Sequence, residues 1–90
     1  MIKKYEFQFS RNAERDFVSL DKVIQKRILE KLEFFENADD SMKYSKKLSG
    51  FDDKYSFRVG DYRIIVSPQD KTTLVVLVIL KIGHRREVYE

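Results

Sequence analysis

Ninety residues suffice for one modest hydrophobic core, and 42% hydrophobic side chains, with seven Phe and five Tyr, fit a folded chain rather than a disordered tail. The absence of Cys excludes disulfides and thiolate metal sites, and a single His builds no metal site alone. The net charge of +3 is uneven: residues 1–42 hold 8 Lys/Arg against 9 Asp/Glu and residues 43–90 hold 10 against 6, so the basic excess lies in the second half. A basic surface captures polyanions, although at this charge a solvated surface without a partner fits equally well. The N-terminal run Met1-Ile2-Lys3-Lys4-Tyr5-Glu6 does not read as a secretory leader, and the apolar run Leu74 to Leu80 is too short to cross a bilayer. No membrane contact is expected, and the expected location is the cytoplasm. No repeat or Pro/Gly/Ser linker interrupts the chain, so residues 1–90 are expected to form a single domain.

In chain order, Tyr5, Phe7 and Phe9 alternate with Glu6 and Gln8, the period of a half-buried strand. Ser10 suits a helix cap, and a helix is expected through about Leu20. Asp21 opens a second helix. Phe17, Leu20, Ile24, Ile28, Leu32 and Phe35 recur at steps of three and four and form one apolar stripe. The stripe is expected to pack on a core, with part of it open to a partner segment. Residues 37–41 end the helix, and Lys43 to Gly50 is a basic connection to which no regular structure is assigned. Three strands follow. Tyr55, Phe57 and Val59 alternate with Ser56 and Arg58, Gly60-Asp61 suits a type II′ hairpin turn, and Tyr62, Ile64 and Val66 carry the return strand. Residues 68–71 read as the next turn, Thr73 to Ile82 as a central strand ended by Gly83, and His84 to Glu90 as a polar tail. The expected class is α+β, in the order β-α-α-β-β-β. A helical hairpin covers one face of a small, mainly antiparallel sheet and leaves the other face partly open.

The two-residue loop fixes the hairpin register, so Arg58 faces Arg63 on the side away from the apolar residues. Like charges placed opposite each other are destabilising. The pair makes chemical sense if an anion lies between the guanidiniums, which bind phosphate in a planar, bidentate way. Arg85 and Arg86 follow the last strand, with Tyr89 beyond them and His84, a group that titrates near neutrality, before them. RNA carries its own nucleophile, the 2′-hydroxyl. An arginine clamp stabilises charge on the phosphorus, and His or Tyr handles a proton. The residues also allow plainer roles: Arg58 and Arg63 paired with Asp52, Asp53 or Asp61, His84 as a surface residue, Tyr89 as a packed aromatic, and Arg86 bridged to Glu87 or Glu90.

Lys47-Leu48-Ser49-Gly50, Tyr55-Ser56-Phe57-Arg58-Val59-Gly60-Asp61-Tyr62-Arg63-Ile64-Ile65 and Val78-Ile79-Leu80-Lys81-Ile82-Gly83-His84-Arg85-Arg86-Glu87-Val88-Tyr89 stand in this order along the chain. Together they resemble the central and C-terminal signatures of the RelE/ParE superfamily of type II toxins, in particular the RelE-like mRNA interferases. The resemblance covers essentially the whole chain. It implies a RelE-like fold and a ribosome-dependent endoribonuclease that cuts mRNA in the A site through its 2′-hydroxyl, without a cofactor or metal. Partners would be a cognate antitoxin, the ribosome and mRNA, with operator DNA reached only through the antitoxin. Arg58, Arg63, Arg85, Tyr89 and His84 match the catalytic positions, and Lys46, Lys47, Lys54 and Arg86 are assigned to RNA contact. Well-studied members place two Lys on the strand facing the RNA where this chain has Ser56 and Arg58, so the general base stays unassigned. A ParE-like gyrase inhibitor and a non-toxic, antitoxin-binding relative remain alternatives.

Overall fold

Tyr5, Phe7 and Phe9 all turn one side toward a layer of two helices, as their alternation requires. The structure is a computed structural model that describes residues 4–84. Its elements are β1 (Lys4–Phe9), α1 (Arg11–Val18), α2 (Lys22–Glu36), a 3₁₀ turn (Ser41–Tyr44), β2 (Ser45–Lys47), β3 (Tyr55–Val59), β4 (Tyr62–Asp70) and β5 (Leu74–His84). The five strands lie in the order β1-β5-β4-β3-β2, with β1 parallel to β5 and every other pair antiparallel. This is the expected α+β arrangement with one added strand.

Ser10 caps α1 by accepting the Ala13 N–H at 3.1 Å, and its own N–H is donated to the Ile79 carbonyl at 3.0 Å. Asp21 occupies the N-cap of α2 without a side-chain cap bond. Ile28, Leu32 and Phe35 from the stripe are buried, and Phe17, Leu20 and Ile24 pack partly buried against them. The core centres on three rings: Phe35 lies 5.0 Å and Phe7 5.3 Å from the fully buried Phe57. Burying one such side chain contributes about 1.5–3 kcal/mol. At the outer edge of the sheet, the Phe7 N–H donates to Glu36 Oε2 at 2.8 Å, so α2 occupies a donor that would otherwise template another strand.

The structure corrects three expected boundaries. The connection at Lys43–Gly50 contains the 3₁₀ turn's end and β2, which pairs with β3 through Ser45↔Phe57, Lys46↔Ser56 and Lys47↔Tyr55. β4 runs through Pro68 to Asp70, and the turn falls at residues 71–73. Pro is tolerated there because β3 ends opposite Val66, leaving β4 with a neighbour on one side only. β5 continues past Gly83 to His84. It also carries a bulge: Ile65 pairs with Lys81 and Val66 with Ile79, so Leu80 is the extra residue. Asn12 Nδ2 donates to the Leu80 carbonyl at 2.9 Å and Asp16 Oδ2 accepts the Ile82 N–H at 2.9 Å, which ties α1 to the bulged segment. Among the described residues no helix is long and apolar enough to cross a membrane.

Candidate functional site

Three adjacent strands each present one cation on the face of the sheet away from the helices. Phe57 and Val59 point into the core, so Ser56 and Arg58 of β3 point the other way. The hairpin turn holds this phase. Gly60 has φ +60 and Asp61 does not have a positive φ, which gives the expected type II′ turn. The register pairs Arg58 with Arg63, as the loop length requires. Arg63 is flanked on its other side by Gly83, which has no side chain to crowd it. Lys46 of β2 faces Ser56, one step along β3 from the arginine pair.

These groups share one cavity of about 240 Å³, lined by Tyr44, Ser45, Lys46, Ser56, Arg58 and Arg63. Among the described residues no carboxylate lines it. Arg58 is exposed, and its Nε donates to the Gly60 carbonyl at 3.0 Å, which orients the guanidinium and leaves its two terminal nitrogens toward solvent. Arg58 makes no ion pair among the described residues, so pairing with Asp52, Asp53 or Asp61 does not account for it. Arg63 is half-buried, with Nε and Nη1 withdrawn from solvent. A small concavity with cations on three strands is suited to a phosphate and its neighbouring ribose.

The remaining sequence-assigned residues are dispersed. Lys47 pairs with Tyr55 and therefore takes the helix-side phase of β2. Lys54 lies just before β3 with its Nζ 4.4 Å from the centre of the Phe51 ring. His84 pairs with Tyr62, and their rings meet edge to face at 5.6 Å. The bulge explains this placement. One extra residue reverses the phase of β5, so Ile82 is buried in the core, Gly83 takes the open face beside Arg63, and His84 takes the helix side. There it lines a cavity with Asp16, Ser19 and Tyr62, apart from the arginine pair. Arg85, Arg86 and Tyr89 lie outside the described residues. Among the described residues no three His, Asp or Glu side chains converge to hold a metal ion. The sequence reading left Tyr44 and Ser45 out of the site. Neither carries a signal beyond its place before Lys46.

Residues 7–89 match a family model described as the ParE toxin of the type II toxin–antitoxin system, parDE. No curated protein sequence matches the chain. Among solved structures, the chain is similar to the toxin–antitoxin complex RelBE2 from Mycobacterium tuberculosis, at 26% identity and a TM-score of 0.77 over 97% of this chain and 98% of that one. It is similar to the archaeal RelE–RelB complex from Pyrococcus horikoshii OT3, at 26% identity and a TM-score of 0.61 over 97% and 99%. A mutant of the E. coli toxin RelE in the free state shares the fold at 21% identity, with a TM-score of 0.69 over 96% and 90%.

Proposed function

From the premise that this chain belongs to the RelE/ParE family of type II toxin–antitoxin toxins, we propose that it is a ribosome-dependent endoribonuclease that cleaves mRNA in the A site and stops translation in the cytoplasm. A cognate antitoxin restrains it, and it reaches operator DNA only in that complex. The observation that carries the reading is the facing Arg58–Arg63 pair on the sheet face away from the helices, with Lys46 beside it and, among the described residues, no carboxylate lining the shared cavity. Two guanidiniums held side by side bind phosphate oxygens in a planar, bidentate way.

In this reading the scissile phosphate sits on the two guanidiniums. Arg58 donates through its terminal nitrogens while the Gly60 carbonyl holds its Nε. As the 2′-oxygen attacks, negative charge builds on the phosphoryl oxygens, and the clamp binds that state more tightly than the ground state. Arg85 adds a further cation and Tyr89 orients the departing 5′-oxygen; both assignments come from the C-terminal motif. Lys54 and Arg86 contact RNA beyond the clamp. His84 has no part in the clamp, because β5 turns it to the other side of the sheet.

Primer extension on translated mRNA after induction tests this. Cuts within A-site codons are expected, and Arg58→Ala or Arg63→Ala should lower the cutting rate by roughly 10²–10³, the size of losing one transition-state donor. The family model bears the name of ParE, which favours a second reading, inhibition of DNA gyrase by protein binding. Growth arrest with gyrase inhibition and without mRNA cuts would select it.

A further inference from the structure

Attack by a 2′-hydroxyl requires its proton to leave, and neither arginine of the clamp can accept it, since a guanidinium keeps its charge at any useful pH. The other groups lining the cavity are Tyr44, Ser45, Lys46 and Ser56. The Ser45 hydroxyl is committed, donating to the Met42 carbonyl at 2.7 Å. The Tyr44 ring packs on Phe34 and Phe35, with centroids 5.4 and 5.5 Å away, on the helix side of the molecule. Ser56 is 4% exposed.

Lys46 is exposed, and the backbone fixes where it starts. Its Cα is the cross-strand partner of Ser56, on the face that carries Arg58 and Arg63. Ser56 is too short to screen it from the arginine pair. Among the described residues its amine forms no hydrogen bond or ion pair, and no carboxylate lines the cavity. The charged or titratable groups sharing the cavity are Arg58 on β3, Arg63 on β4 and Tyr44 on the 3₁₀ turn. A lysine amine, unlike a guanidinium, exchanges its proton.

The geometry points to Lys46 as the group that takes the proton from the attacking 2′-hydroxyl. This rests on the RNA-cleaving reading above. Its amine nitrogen accepts the proton as the O2′–P bond forms and the P–O5′ bond breaks. The 5′-oxygen leaves as a hydroxyl with a proton from water, and the other product is a 2′,3′-cyclic phosphate. The hydroxide so formed takes the proton from the Lys46 ammonium, which restores the starting state. β2 thus supplies a group that β3 lacks at Ser56.

The test is single-turnover cleavage on ribosomes programmed with a defined A-site codon, using the full-length chain and its Lys46→Arg and Lys46→Ala variants. Lys46→Arg keeps the positive charge and removes the proton acceptor. It should bind programmed ribosomes as tightly as the original chain while cutting about 10²-fold or more slowly, the usual contribution of a general base. The cutting rate of the original chain should rise with pH and that of Lys46→Arg should not. Added ethylamine should restore cutting to Lys46→Ala. Cutting by Lys46→Arg at the original rate overturns the assignment and leaves the nuclease standing, with Lys46 supplying charge alone. No cutting by the original chain overturns both. Thermal melts matching the original chain exclude misfolding as the cause.

Discussion

The number of cations on the open face sets how steeply RNA affinity falls with salt, and each residue's share can be measured separately. For single-stranded nucleic acid, log K falls with log salt at a slope of about −0.7 per phosphate neutralised. Arg58 and Arg63 line one cavity, so together they account for a slope of about −1.4. The informative quantity is the change in slope between proteins, which is independent of contacts elsewhere along the strand. Arg58→Gln should reduce its magnitude by about 0.7, and Arg63→Gln by the same amount. The double variant should lose about 1.4, so a tenfold rise in salt should weaken it about 25-fold less than it weakens the original chain. The assay is fluorescence anisotropy of a labelled 2′-O-methyl RNA, which lacks the nucleophile and stays intact, titrated at four or more salt concentrations. An unchanged slope in both single variants would refute a phosphate clamp on this face, whatever the change in affinity at one salt concentration.

Three further outcomes follow from the same geometry. His84→Ala should leave both affinity and salt slope unchanged in that assay, since His84 sits against Tyr62 on the other side of the sheet; a reduced slope would mean that His84 contacts the RNA backbone. Gly60→Ala should destabilise by about 1–2 kcal/mol, because φ is +60 and a Cβ there meets only Arg27 Nη1 at an ordinary 3.9 Å. In a thermal melt that is a fall of roughly 4–8 °C per kcal/mol, and no fall would show that the turn is not type II′. Phe57→Ala should cost about 3–5 kcal/mol by urea unfolding, a large share of the roughly 5–13 kcal/mol typical of 90 residues; a cost near that of a surface change would place Phe57 outside the core.

What the sequence made legible, and what it hid, divides along physical lines. Gly60-Asp61 between two alternating runs admits one register, so the opposition of Arg58 and Arg63 follows from loop length alone. Helix caps and the stripe on α2 are likewise local patterns with local causes. β2 has no such pattern. Ser45-Lys46-Lys47 holds no apolar alternation, and its pairing is decided by the exposed edge of β3 rather than by its own composition. Lys46 was therefore readable as a basic residue and not as part of the cavity. The unbroken apolar run from Leu74 to Leu80 hides the phase of β5, because every residue fits either face. The bulge at Leu80 sets that phase, and with it the side taken by His84.

The most direct test of the account is to incubate the purified chain with ribosomes carrying one mRNA codon in the A site, with the same mRNA free in solution as control, and to analyse the RNA ends. The account predicts a cut within that codon leaving a 2′,3′-cyclic phosphate, no cut in the free mRNA, and loss of the cut in Arg58→Ala. Intact mRNA in both samples, together with inhibition of gyrase supercoiling by the same preparation, would contradict it.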